Sequence, residues 1–70
     1  FDVVLANLTA DLLLRLKDML SSLCNKGGKI IISGIINARA EQIYSAFSSD
    51  LKPVTVLKRG EWQAMMFECV

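Results

Sequence analysis

The first eight residues of the chain combine an apolar run with a polar end. Phe1 and residues 3–6 are apolar, and only Asp2 interrupts them before Asn7. Such a run is typical of a strand that is buried on both faces of a parallel sheet. Asn7 is then expected at the carboxyl end of that strand, where open α/β sheets bind their ligands. Its amide could orient a ligand without adding charge, and the simpler alternative is a turn residue that caps the next helix.

The size and apolar content of the chain predict one small unit. Seventy residues support a single domain with a marginal core. The hydrophobic share is 53%, which exceeds what a small domain with a solvated surface needs. The chain also starts inside a strand-like run at Phe1. We therefore expect residues 1–70 to be one piece of a larger domain, with an obligate oligomer as the alternative.

Charge and hydropathy argue against two classes of partner. The formal net charge is +1, and the eight basic residues are spread along the chain, so no electrostatic footprint for nucleic acid or an anionic membrane is present. No apolar run approaches the roughly 18 residues that span a bilayer, and no signal peptide is recognisable. We expect a cytoplasmic protein without direct contacts to nucleic acid or membrane.

The cysteine and histidine content restricts the possible chemistry. Cys24 and Cys69 are far apart in the sequence, which favours reduced, packed thiols in a cytosolic protein over a disulfide framework or a zinc site. The chain has no histidine. A histidine-based triad or a histidine-ligated metal is therefore excluded within this chain, and no metal site is predicted.

The middle of the chain predicts a strand–helix–strand unit. Thr9 to Leu23 carries apolar residues at three- and four-residue intervals, the pattern of an amphipathic helix, with Thr9 as its N-cap. Gly27 and Gly28 end that helix. Lys29 to Ser33 is a β-branched run that predicts a second doubly buried strand, parallel to the first. Gly34 then serves a turn or permits the close approach of a ligand.

The last third of the chain predicts a helix and a hairpin. Asn37 to Ser48 has a second amphipathic pattern, and Val54 to Arg59 alternates weakly, as an edge strand does. Gly60-Glu61 is a tight turn before a final strand, Trp62 to Cys69. We expect the Trp62 ring to pack against a helix, with stacking on a ligand as the alternative. The short connection favours an antiparallel hairpin. The predicted fold is α/β in the order β-α-β-α-β-β, with two parallel strands and a terminal hairpin that lies beside them.

That order resembles the carboxyl half of the Rossmann-like class I methyltransferase fold, which uses S-adenosylmethionine. Within it, the chain is similar to the ribosomal protein methyltransferase family PrmA. Each motif is weak alone, but their order and spacing together are fairly specific and cover nearly the whole chain. The matching segments are Asp2-Val3-Val4-Leu5-Ala6-Asn7-Leu8, Lys26-Gly27-Gly28, Ser33-Gly34-Ile35 and Gly60-Glu61-Trp62.

The resemblance implies roles for three residues. Asn7 would contact S-adenosylmethionine near its reactive end and help to define the methyl-transfer site, while Leu8 and Thr9 would line the opening to the acceptor. The acceptor implied is an amine of a large-subunit ribosomal protein. Methyl transfer needs alignment of an amine, a methyl carbon and a leaving sulfur more than a strong acid or base.

The chain departs from the family pattern in its cofactor-binding part. No glycine-rich G-x-G loop follows a strand, and no acidic residue closes a strand as the ribose-binding one should. We therefore expect S-adenosylmethionine to be bound mainly by an amino-terminal half that lies outside this chain, and the isolated chain to be inactive. Two alternatives remain: a methyltransferase for RNA or a small molecule, and a non-catalytic α/β module. The non-catalytic module would pair with a partner through its exposed sheet edge. The isolated fragment could self-associate through the same edge.

Overall fold

The chain folds into one four-stranded mixed sheet with two helices. The computed structural model describes all residues, 1–70. Its elements are β1 (Val3–Ala6), α1 (Ala10–Leu23), β2 (Lys29–Ile36), α2 (Asn37–Ser48), β3 (Lys52–Arg59) and β4 (Trp62–Glu68).

The strand order is β1-β2-β4-β3. Strand β1 runs parallel to β2, with Ala6 opposite Ile32, because a helix connects them and returns the chain to the same edge. Strand β4 runs antiparallel to both of its neighbours, β2 and β3. The predicted α/β class, the element order and the position of the hairpin are confirmed.

Both helices pack on one face of the sheet. Alternate residues of each inner strand point to that face, and the helices cover them with the buried side of their stripes. Leu13 of α1 and Ile43 and Phe47 of α2 are fully buried there. The remaining core members lie in β1, α1, β2, α2 and β4, just before β3 and just after β4: Val4, Ala6, Leu20, Ile30, Ile32, Ile35, Ala40, Leu51, Met65, Phe67 and Cys69.

The prediction that β1 and β2 are buried on both faces is wrong for this chain. Val3 and Leu5 are 53% and 74% exposed, whereas Val4 and Ala6 between them are buried. Ile31 of β2 is only half-buried. The reason is that no element of these 70 residues covers the second face of the sheet, so the apolar side chains pointing that way meet solvent.

Strand β2 extends further than its sequence indicates. Lys29 to Ser33 was the predicted strand, but β2 continues to Ile36 through an irregularity. Ile32 pairs with Met65 and Ile35 pairs with Gln63, so two residues of β2 stand opposite one residue of β4. Two residues opposite one define a β-bulge. Beyond this bulge, β2 pairs with β4 again from Ile35 onward.

The prediction of two free thiols is also wrong, because a disulfide joins Cys24 to Cys69. Their separation of 45 residues in the sequence hides a Cα–Cα distance of 6.4 Å, within the range that a disulfide bridges. Cys24 is the C-cap of α1, and Cys69 directly follows β4. Both positions lie at the same edge of the sheet because β4 is antiparallel to β2.

The turn between α1 and β2 binds both ends of the chain. The backbone N–H of Asn25 donates to the carbonyl of Phe1 at 2.8 Å, and that of Gly27 donates to the carbonyl of Cys69 at 2.7 Å. In return, the N–H of Cys69 donates to the carbonyl of Gly28 at 2.9 Å. Backbone groups at this edge of the sheet are therefore satisfied by contacts between distant parts of the chain.

Candidate functional site at the carboxyl edge of the parallel strands

Asn7 lies where the sequence predicts it, immediately after β1 at the carboxyl end of the strand. Its side chain is exposed and takes part in none of the side-chain hydrogen bonds of the chain, which engage Asn25 and Asn37 instead. An amide with both donors and its acceptor free can bind a ligand without first breaking an internal contact.

Gly34 lies directly beside Asn7 on the neighbouring strand. Ala6 is opposite Ile32, so the bulge of β2 carries Gly34 alongside the residue that follows β1. Gly34 has a φ of +75°, in the left-handed region that glycine adopts without steric cost. A Cβ atom at this position would lie 2.5 Å from Oδ1 of Asn7. The prediction of a turn at Gly34 is wrong, because the residue lies within β2. The close approach of a ligand stays a prediction, and the group that approaches Gly34 within the chain is the Asn7 amide.

The two residues after Asn7 have different surroundings. Leu8 is half-buried and packs against the core. Thr9 is exposed and is the N-cap of α1, as predicted, because its Oγ1 accepts a hydrogen bond from the backbone N–H of Leu12 at 3.3 Å. The Thr9 hydroxyl thus has one lone pair engaged in capping and keeps its proton free to donate.

A cavity of about 270 Å³ opens at this edge of the sheet, between the start of α1, the end of β2 and the hairpin. Asn7 and Leu8 do not line the cavity, but Asn7 lies next to Gly34, which does. The lining residues are Thr9, Ala10, Asp11, Gly34, Ile36, Arg39 and Trp62.

An ion pair and an exposed aromatic ring border the cavity, and the sequence did not indicate the ion pair. Arg39 of α2 donates from Nη2 to Oδ1 of Asp11 on α1 at 2.9 Å, which ties the two helices together beside the loop that carries Asn7. Trp62 is 52% exposed, so the prediction that its ring packs against a helix is wrong. The Trp62 ring lines the cavity instead, and its stacking on a ligand stays a prediction.

Asn37 fixes the hairpin turn that carries Trp62. Its Nδ2 donates to the carbonyl of Gly60 at 3.0 Å, and its Oδ1 accepts from Nε2 of Gln63 at 3.0 Å. Its backbone N–H donates to the carbonyl of Glu61 at 3.0 Å. Asn37 was expected only to begin α2, and no sequence signal pairs it with a turn more than twenty residues away.

Two further observations bear on the kind of site this is. No group of three or more His, Cys, Asp or Glu side chains is arranged to hold a metal ion. Neither helix is long and apolar enough to cross a membrane.

Comparison with known proteins gives a consistent result. The sequence model of the family described as ribosomal protein L11 methyltransferase (PrmA) matches residues 1–69. A ribosomal protein L11 methyltransferase from Streptococcus pyogenes is 38% identical over 68 residues, which are 96% of this chain and 22% of that protein. One from Pseudoalteromonas atlantica is 38% identical over 61 residues, 87% of this chain and 21% of that protein. The chain thus spans about a fifth of the length of these curated relatives.

Solved structures share the fold. A ribosomal protein L11 methylase from Lactobacillus delbrueckii subsp. bulgaricus superposes with a TM-score of 0.90 at 28% identity, over 99% of this chain and 36% of that one. The N-methyltransferase NodS from Bradyrhizobium japonicum superposes with a TM-score of 0.68 at 13% identity, over 99% of this chain and 51% of that one. The second likeness concerns the fold alone.

The fold is a methyltransferase-type α/β fold, with a mixed sheet and an exposed amide at the carboxyl end of a parallel strand. The chain belongs to the ribosomal protein L11 methyltransferase family, PrmA.

Proposed function

We propose that the chain is the carboxyl part of the catalytic domain of an S-adenosylmethionine-dependent methyltransferase that acts on amines of a large-subunit ribosomal protein. Membership of the family over residues 1–69 supports the proposal. The relatives named above carry the name of one such substrate, ribosomal protein L11. The chain spans about a fifth of the length of these relatives. We therefore propose that the rest of the catalytic domain lies outside residues 1–70, and that the whole protein is cytoplasmic.

The observation that carries the proposal is the free amide of Asn7 at the carboxyl end of β1. S-adenosylmethionine supplies a methyl group on a sulfonium that already contains its leaving group, so the protein has mainly to align donor and acceptor. Asn7 is suited to that work because its exposed amide has no partner within the chain. Its hydrogen bonds would hold the reactive end of the cofactor and define where methyl transfer occurs.

The neighbouring residues would form the entrance for the acceptor. Thr9 lines the cavity and can donate its hydroxyl proton, and Leu8 supports the loop from the core side. Neither a glycine-rich phosphate-type loop nor an acidic ribose-binding residue is present in the chain. The affinity for the cofactor would therefore come mainly from outside these residues, and the isolated chain would bind it poorly.

The alternative acceptors have less support. An RNA acceptor would call for a basic surface. The eight Lys and Arg residues are spread along the sequence without a cluster, and the net charge is only +1. A small-molecule acceptor and a non-catalytic module find no counterpart among the relatives named above.

The test replaces Asn7 by Ala in the full-length protein that contains this chain. Loss of one or two hydrogen bonds, about 1–3 kcal/mol, should lower the rate of methyl transfer to ribosomal protein L11 roughly ten- to a hundredfold. The melting temperature should stay at the wild-type value, because the side chain is exposed and unbonded. Activity is measured by transfer of a labelled methyl group and stability by thermal unfolding.

Asn25→Ala provides the matched control. Asn25 is also an exposed turn residue, but it lies at the opposite edge of the sheet and donates to Oδ1 of Asp2 at 2.9 Å. This variant should retain full activity. If Asn7→Ala instead keeps normal turnover and loses thermal stability, Asn7 is only a turn residue and the site assignment fails.

A further inference from the structure

Gly34 is distinguished from the other glycines by what lies next to it. Gly27, Gly34 and Gly60 all have positive φ angles, of 82°, 75° and 55°. A Cβ atom at Gly27 or Gly60 would have no heavy atom within 4 Å. At Gly34 the same atom would meet Asn7, with Oδ1 at 2.5 Å and Cγ at 3.5 Å. Backbone conformation explains the glycine at all three positions, but close approach applies only at Gly34.

The contact is with one end of the Asn7 amide. Apart from Gly34 and its two neighbours in the chain, only Oδ1 and Cγ of Asn7 lie within 4 Å of the position of a Gly34 Cβ, so Nδ2 lies farther away. The amide oxygen therefore rests against β2, and the amide nitrogen is turned away from it. No side-chain hydrogen bond of the chain holds the Asn7 amide, and its oxygen lies against Gly34.

We propose that Gly34 is a positioning residue for methyl transfer: the absence of its Cβ lets the Asn7 amide lie against β2 with its nitrogen free for a ligand. The inference rests on the proposed function of Asn7 and adds a second residue, on the neighbouring strand, that acts through it. Gly34 also lines the cavity, together with Thr9 and Trp62.

A methyl group at Gly34 should affect the Asn7 orientation more than the fold. A contact of 2.5 Å forces one group to move, and here the group that moves is the end of an exposed side chain rather than backbone. The energetic penalty to folding should then be that of an Ala at positive φ, which Gly27→Ala shares at an almost equal φ. The displacement of the amide belongs to Gly34→Ala alone.

The experiment compares Gly34→Ala with Gly27→Ala in the full-length protein. Both should lower the melting temperature by similar amounts. Gly34→Ala should also lower kcat roughly ten- to a hundredfold, the range expected for losing the Asn7 hydrogen bonds, while Gly27→Ala keeps wild-type kcat and KM. Equal activity in the two variants would overturn the proposal.

A double variant separates positioning from general damage. In Asn7→Ala/Gly34→Ala the colliding amide is absent, so kcat should be no lower than in Asn7→Ala alone. A further tenfold loss in the double variant would show that Gly34 acts independently of Asn7 and would refute the inference. Should Gly34→Ala fail to fold, recovery of folding in the double variant supports the collision, and failure of both while Gly27→Ala folds contradicts it.

A spectroscopic measurement keeps the two proposals distinguishable. With ¹⁵N-labelled asparagine, the side-chain amide signals of Asn7 should move in Gly34→Ala and stay in place in Gly27→Ala. If Asn7→Ala proves fully active, the function proposed for Asn7 falls, and this shift still decides whether Gly34 orients its amide. Unmoved signals in Gly34→Ala would sink the positioning role whatever the activity.

Discussion

Asn37 shows how one polar side chain can hold three parts of a small fold together. It begins α2, yet it does not cap that helix, because Ile36 is the N-cap and makes no side-chain cap bond. Instead, its amide bonds the hairpin on both sides of the turn, to Gly60 and to Gln63. The wall of the cavity that carries Trp62 is therefore fixed to the start of α2 by a single residue.

Replacing Asn37 by Ala should destabilise the hairpin. Two side-chain hydrogen bonds are lost, at about 0.5–1.5 kcal/mol each, so the free energy of unfolding should fall by about 1–3 kcal/mol. Arg39→Ala on the same helix is the comparison, because it removes an ion pair to Asp11 and a hydrogen bond to Gln42 that both lie at the exposed surface. Such an exposed ion pair is worth less than about 1 kcal/mol. Urea unfolding of the full-length variants measures both, and an equal or smaller loss for Asn37→Ala would contradict this account.

At the scale of elements, periodicity predicted what is local and missed what is tertiary. The stripe of α1 and the hairpin were predicted because helix and strand periods are visible in the order of residues. The bulge at Gly34 was not predicted, because a glycine that follows a β-branched run can equally well mark the end of the strand. Exposure of Leu5, the disulfide of Cys24 and the cavity position of Trp62 depend on which elements lie alongside each other.

The candidate site divides in the same way. Asn7 was identified because an amide closing an apolar run marks the carboxyl end of a strand. The contact between Asn7 and Gly34 needs the register of β1 against β2, and the pairing of Arg39 with Asp11 needs the packing of α2 on α1. Neither contact depends on the spacing of residues along the chain, so no local sequence pattern could have predicted it.

Helix α1 contributes to stability through only part of its apolar stripe. Leu13 is fully buried, whereas Leu12 beside it is 40% exposed. Leu13→Ala should lower the free energy of unfolding by about 2–5 kcal/mol, because it leaves a cavity in the core. Leu12→Ala should cost under about half of that. Denaturant unfolding of the two full-length variants tests the difference, and similar losses would show that the packing of α1 is not as described.

The whole molecule has one covered face and one open face. The open face follows from the register: Leu5 pairs with Ile31, Ile31 pairs with Met66, and Ala64 pairs with Leu57. Val3 and Thr55 lie on the same face beside these side chains, so the open face is largely apolar. Strands β1 and β3 also leave their outer edges unpaired, and such edges are templates for pairing with another chain.

The isolated chain should therefore self-associate. Burial of the open face or pairing at an edge removes apolar surface and unpaired backbone groups from water. Sedimentation velocity should show species larger than the 7.7 kDa monomer. Leu5→Lys, on the open face and in edge strand β1, should shift the distribution toward monomer, and Leu12→Lys on the helical side should not. A wild-type chain that sediments only as a monomer would refute the expectation.

The bonded turn at residues 25–28 also determines how the molecule can be handled. Strands β1 and β2 begin next to that turn and β4 ends there, so Phe1 and Val70 both lie at the far end of the strands from Asn7 and Gly34. A fluorophore or an affinity label joined to Val70 would project away from the crevice. Surface immobilisation through that end would leave the face of the candidate site open to incoming molecules.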